Sequence, residues 1–194
     1  MVDALSALSA DCASALQLVL CEISPELKGQ QRQRLAKANP QWISHWGQMP
    51  EGAKIIVSNE FLDALPVEQI VKQKGSWRIR TMDVAGDSLT FSLGAPYQGW
   101  LPKALDQAPD GALVEIPFEA AGLLDFVARD LRQAPGVMLA LDYGDAQLGS
   151  GDTLQALQAL KKVAVIETLG QADLTCRVNF AWLDGLAQQY AHLD

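Results

Sequence analysis

Three clusters of polar side chains stand directly after apolar runs: Glu22-Ile23-Ser24, Ser58-Asn59-Glu60 and Asp142-Tyr143-Gly144. A carboxylate such as Glu22 offers two acceptor oxygens, which match the two hydroxyl donors of a ribose diol. The same acid beside a helix start also favours the helix dipole, and position alone leaves both readings open. Asn59 brings a donor and an acceptor and Glu60 a charge, a pair able to orient an amine or guanidine or to hold the polar part of a cofactor. The competing reading makes Asn59 or Asp63 a helix cap, with Leu65 and Pro66 ending that helix. Asp142 either shapes a pocket rim or is tied to the backbone of a neighbouring loop. Gly151-Asp152-Thr153 reads as a capped helix start.

Other chemistries lack their residues. His45 and His192 are isolated from any Ser or Cys partner motif, so a histidine general base is unsupported. No nucleophile elbow GxSxG is present, which weakens a hydrolase reading, and neither GxxxxGK[ST] nor GxGxxG occurs to cradle a phosphate. Cys12, Cys21 and Cys176 form no CxxC pair; an odd, sparse set argues against a disulfide framework and a zinc or other metal site. It predicts buried or half-buried thiols in a reducing, cytoplasmic compartment. The net charge of −8 is the wrong sign for a protein that neutralises nucleic-acid phosphates. No apolar run approaches the ~18 residues of a membrane span, and the first residues lack the basic region and long apolar core of a secretion signal.

The elements that must position these clusters read as alternating strands and helices. Apolar spacing predicts a short helix over 3–15, a strand over 16–21 and, from Ser24-Pro25, a helix over 25–38 with Leu27 and Leu35 inward. Strands are expected at 41–46 and 54–58, the latter buried. Residues 69–72, 76–81 and 88–92 are β-rich and punctuated by Gly75 and the 85–87 segment, which predicts an antiparallel meander inserted at roughly 67–110, with 94–109 mostly loop. A strand at 112–116 leads into an amphipathic helix at 118–133 and a buried strand at 137–141. A helix at 152–162, strands at 163–166 and 173–179, and a helix at 180–191 complete the chain. The five tryptophans are spread out as core and loop anchors. Strand–helix alternation implies an α/β fold with a mostly parallel sheet, whose ligands sit beyond the carboxyl ends of the strands.

The string Ile55-Ile-Val-Ser-Asn-Glu-Phe-Leu-Asp-Ala-Leu-Pro-Val67, with Gln69 after it, is more specific than any of these patterns. It resembles the signature of the MidA-like S-adenosylmethionine-dependent methyltransferases, relatives of a mitochondrial complex I assembly-factor arginine methyltransferase. The resemblance continues in order through Glu22-Ile-Ser-Pro25, Trp77 and Arg80, Glu115, Asp142-Tyr-Gly144, Gly151-Asp-Thr-Leu-Gln-Ala156 and Asp173-Leu-Thr175. It implies a Rossmann-like class I methyltransferase sheet in a single domain over 1–194. The family's first strand and glycine-rich loop would precede residue 1, so the implied sheet is incomplete at the N-terminus, as a fragment or a natural short form. By position, Glu22, Ile23, Ser24 and Asn59 would bind S-adenosylmethionine. Asn59, Glu60 and Asp63 would be catalytic, with Glu60 pairing a guanidinium and aiming its nitrogen at the methyl group. The implied partner is a protein substrate, neither nucleic acid nor membrane. A sheet with uncovered edges also predicts association with a second copy or another protein. From a different class, the same scaffold serves as a non-catalytic binding or assembly module.

Overall fold

Ser24 and Pro25 start a helix for the local reasons their residue types supply. The Ser24 hydroxyl accepts a hydrogen bond from the Leu27 N–H at 3.3 Å, and proline occupies the first helical position, where no N–H is needed. The computed structural model describes residues 7, 9–147, 149 and 151–191, and the chain divides into two units, 1–52 and 53–194.

In the first unit, α1 (Ala10–Ala15) is the described part of the helix expected over 3–15; residues 1–6 and 8 lie outside the described residues. Strand β1 (Val19–Cys21) pairs in parallel with β2 (Gln41–Ile43) across α2 (Pro25–Arg34). The helix is shorter than expected: it closes at Leu35, and a 3-10 turn follows to Asn39, whose φ is +43°. Leu27 does not face inward; it is 46% exposed and no α2 residue is buried. One leucine among Glu, Lys, Gln and Arg gives the helix no apolar stripe to bury. Cys21, expected to be covered, is exposed.

The second unit contains β3 (Lys54–Asn59), then β4 (Glu68–Gln73), β5 (Ser76–Ala85), β6 (Ser88–Pro96) and β7 (Leu113–Ile116). Next come α3 (Phe118–Leu131), β8 (Gly136–Leu141), β9 (Gly144–Asp145), β10 (Gln155–Gln158), β11 (Lys161–Val163), β12 (Asp173–Thr175), β13 (Val178–Asn179) and α4 (Phe180–Ala191). Strands β4 to β7 form an antiparallel sheet in the order β6-β5-β4-β7. The β4–β5 turn places Lys74 and Gly75 at φ +51° and +76°, the left-handed pair that a tight two-residue hairpin requires. Ile70 and Val114 face each other across β4 and β7, and both are almost fully buried. With Leu105, Ile116 and Trp182 they form one buried apolar cluster.

Strand β3 pairs in parallel with β8, from Lys54 opposite Gly136 to Asn59 opposite Leu141. Both were expected to be buried. Each instead alternates, and Ile55, Val57, Val137, Leu139 and Leu141 are exposed on one face. The other face carries Met138 and Ala140 toward α3 and α4. A salt bridge from Lys54 to Asp130 ties β3 to α3.

The helix expected over 152–162 is a hairpin. Gln155–Gln158 pairs with Lys161–Val163 on one side and with Asp173–Thr175 on the other, around Ala159 and Leu160 at φ +50° and +64°. Tertiary pairing overrides helix-forming residues here, because it buries Ala156 to 1% exposure. The single strand expected over 173–179 is split: β12 joins that hairpin, and β13 pairs in parallel with β9. Among the described residues no helix is long and apolar enough to cross a membrane.

Candidate functional site

In the first unit, β1 ends at Cys21 and delivers Glu22 to the start of α2. The Glu22 N–H donates to the Ile43 carbonyl at 3.0 Å, continuing the ladder one residue past the strand. Its Oε1 accepts from the Ser24 N–H at 2.9 Å, and its Oε2 accepts from the Gln31 amide at 3.1 Å. Gln31 is set by the Trp42 indole N–H, which donates to the Gln31 Oε1 at 2.9 Å. The carboxylate is therefore half-buried and fixed in direction, with each oxygen using one acceptor position. Ile23 beside it is 78% exposed.

In the second unit, β3 and β8 end side by side. The Glu60 N–H donates to the Leu141 carbonyl at 2.9 Å, and Glu60 then turns into the left-handed region at φ +48°. A non-glycine residue held there is strained by about 1 kcal/mol or more and needs its surroundings to hold it. Asp142 supplies that hold. Its Oδ2 accepts from three successive backbone N–H groups, Phe61 at 3.0 Å, Leu62 at 2.8 Å and Asp63 at 3.2 Å. Its Oδ1 accepts from the Tyr143 N–H at 2.8 Å. On the far side, the Cys176 N–H donates to the Asp63 carbonyl at 2.9 Å. Gly144 follows because a Cβ there would come within 2.2 Å of the Val178 carbonyl oxygen.

Of the two readings open for Asp142, the tie to a neighbouring loop is the one observed. No helix follows Glu60, so Asn59 and Asp63 are not caps; the segment closes with a turn in which the Leu65 N–H donates to the Leu62 carbonyl. Among the described residues, the exposed side chains of Asn59 and Glu60 make no hydrogen bond. Leu62 points the other way, into an apolar cavity of about 410 Å³ lined also by Leu123, Leu124, Met138, Phe180 and Leu183.

Burial, and then the charges of Asp142 and Glu60, push the Asp63 carboxyl above the usual aspartate range. The folded state thus holds this proton more tightly than the unfolded chain does. Ionised Asp63 costs stability once the pH exceeds its raised folded value, and that cost vanishes below the unfolded value of ~3.9, where both states are protonated. Asp63→Asn is therefore expected to raise the urea midpoint at pH 7 and to leave it unchanged near pH 3. An equal shift at both pH values would refute this electrostatic account.

The Gly151-Asp152-Thr153 segment is not a helix cap. Asp152 pairs with Arg80 at 2.6 Å, and the Thr153 N–H donates to the Glu115 carboxylate at 3.0 Å. Gln69, Arg80 and Glu115, which carried motif resemblance without an assigned role, belong to one polar network with them, buried at Gln69 and Glu115 and open to solvent at Asp152.

The chain has a mixed α/β fold with polar groups mounted at the ends of parallel strands, and solved structures of methyltransferase-like proteins share that fold. Its backbone overlays the crystal structure of a Burkholderia thailandensis superfamily member bound to S-adenosyl-homocysteine with TM-score 0.78 and 20% identity, covering 97% of this chain and 52% of that one. A native crystal structure of a protein of the same superfamily and organism matches with TM-score 0.74 and 21% identity, covering 97% and 54%. The chain belongs to the family described as "Putative S-adenosyl-L-methionine-dependent methyltransferase", whose model matches residues 1–194. Relatives include the mitochondrial protein arginine methyltransferase NDUFAF7 of Xenopus tropicalis, 28% identical over 190 residues, covering 84% of this chain and 44% of that protein. The NDUFAF7 homolog of Caenorhabditis elegans is 28% identical over 155 residues, covering 77% and 36%. The chain thus spans less than half the length of these curated relatives.

Proposed function

We propose that this chain binds S-adenosylmethionine and takes part in methyl transfer to a protein side chain, arginine being the acceptor. The observation that carries this reading is the strand-end loop 59–63: two carboxylates and an amide on backbone clamped by Asp142, with Glu60 held in a strained left-handed conformation and its side chain unengaged. The names of the curated relatives and the ligand of the solved neighbour support it. We further read 1–194 as a single methyltransferase-like domain with a Rossmann-like class I sheet, in which β4 to β6 are an inserted meander. The sparse cysteines support a reducing, cytoplasmic setting.

Glu22 fits a ribose. A carboxylate has about four lone-pair positions; Ser24 and Gln31 occupy two, and the remainder match a diol. Ile23 offers exposed apolar surface beside it for a purine ring, and Ser24 adds a polar contact. When bound, the cofactor supplies an electrophilic sulfonium methyl group. Glu60 accepts two parallel N–H bonds from a guanidinium and fixes the line of approach of its nitrogen. Asp63, made more basic by burial and then by Asp142 and Glu60, accepts the proton that the nitrogen loses.

Calorimetric titration with S-adenosylhomocysteine tests the binding step, and mass spectrometry of arginine-containing peptides tests transfer. Saturable heat with methylated arginine is the expected result. Absence of heat at millimolar ligand sinks the reading and favours a non-catalytic binding module on the same scaffold.

A further inference from the structure

We propose that Glu115 is a positioning residue that sets the 59–63 loop from the opposite side to Asp142, acting through the Thr153 hydroxyl and the backbone of residues 176 and 177. The inference rests on the reading of that loop as the methyl-transfer site, but its geometry stands by itself.

Glu115 sits in the middle of β7 and is 9% exposed. Its Oε1 accepts from the Gln69 amide at 2.8 Å and from the N–H groups of Thr153 and Leu154 at 3.0 and 3.1 Å. Its Oε2 accepts from the Thr153 hydroxyl. That hydroxyl is itself the acceptor for the Arg177 N–H at 2.8 Å. One residue earlier, the Cys176 N–H holds the Asp63 carbonyl at 2.9 Å. The path from a buried carboxylate to the candidate site therefore runs through three hydrogen bonds: Glu115 to the Thr153 hydroxyl, that hydroxyl to the Arg177 N–H, and the neighbouring Cys176 N–H to the Asp63 carbonyl.

Among the described residues, no cation is bonded directly to the Glu115 carboxylate. Gln69 relays one: its amide donates to Glu115 and, at 3.0 Å, to Asp152, while its carbonyl oxygen accepts from Arg80 at 3.0 Å. A buried carboxylate with every partner in place is rigid, and one missing partner is costly, so such a group holds whatever is attached to it. The Cys176 thiol reports the same environment, pushed up to about 12 by burial first and by the nearby Glu115 second. The thiol therefore stays protonated and inert, and the contribution of Cys176 to the loop is its backbone N–H.

The discriminating variant is Thr153→Val, which keeps the side-chain shape and both Glu115 backbone bonds and removes only the relay hydroxyl. Amide hydrogen exchange of the full chain, read by NMR without ligand, is expected to accelerate about tenfold at Phe61, Leu62 and Asp63. Ile70 and Val114 in the core sheet should be unchanged, and Thr153→Ser should restore the loop. Glu115→Gln, which removes the charge, should shift the same loop amides. Loop exchange within twofold of wild type in both Thr153→Val and Glu115→Gln would overturn the proposal. Acceleration that extends equally to Ile70 and Val114 would also overturn it, because Glu115 would then be a prop for the fold alone. If wild type failed to bind S-adenosylhomocysteine, the exchange results would still decide this inference separately from the functional reading.

Discussion

Asp142→Ala is expected to lower stability by about 3 kcal/mol, because four backbone N–H groups lose a charged acceptor and hydrogen bonds to charged groups contribute about 1.5–3 kcal/mol each before water compensates in part. The groups are those of Phe61, Leu62, Asp63 and Tyr143. The loop they belong to also contains Glu60 at φ +48°, and its strain is tolerated only while the backbone after it is held. Loss of the clamp lets Glu60 relax out of the left-handed region, so ligand binding falls together with stability. Asp142→Asn keeps one carbonyl oxygen for the loop and should lose about half as much, since only part of the charge-assisted component is removed. Urea denaturation gives the stability and calorimetry the binding. An Asp142→Ala midpoint matching wild type would show that water satisfies these amides and that the clamp is dispensable.

The second large effect belongs to Glu22. If its carboxylate receives both ribose hydroxyls, Glu22→Ala removes two charge-assisted hydrogen bonds, and a combined loss of about 3–4 kcal/mol corresponds to roughly 100- to 1,000-fold weaker S-adenosylhomocysteine binding. The fold should tolerate the change better than it tolerates Asp142→Ala. Glu22 holds only the Ser24 N–H and the Gln31 amide, and Gln31 keeps its bond from Trp42. Glu22→Gln retains one acceptor and replaces the other with a donor, so it should lie between wild type and alanine. Affinity of Glu22→Ala within threefold of wild type would remove Glu22 from the binding site while leaving the family membership untouched.

Features decided within a few residues were legible from sequence. Ser24-Pro25 announces a helix start because the cap and the proline act locally, and the run Ile55-Ile56-Val57 announces a strand because β-branched residues favour extended backbone. That run does not say how many of its faces are covered, so the exposure of Ile55 and Val57 was not readable from it. Residues 152–162 misled for the opposite reason. Their Leu, Gln, Ala and Lys content favours helix, and only pairing with Asp173–Thr175 and the burial of Ala156 reverses it. The polar strand ends were visible as positions, and Glu60 was visible as a charge after the strongest strand. What holds Glu60 in place was not, because Asp142 reaches Phe61 across a separation of 81 residues and Gln69 reaches Asp152 across 83. Contacts at such range leave no periodic trace in sequence, and a motif resemblance marks the residues without saying what they touch.

The aliphatic face of β3 and β8 bears on how the polypeptide must be handled. Ile55, Val57, Val137, Leu139 and Leu141 present a contiguous water-facing patch, and their attraction for one another strengthens on warming and in sulfate or phosphate, which are excluded from protein surfaces. Cold buffers free of these kosmotropic anions should keep the protein dispersed, whereas ammonium sulfate should bring it out of solution early. Lysine at Val57 and Leu139 should shift that precipitation threshold upward without disturbing the residues that hold the 59–63 loop.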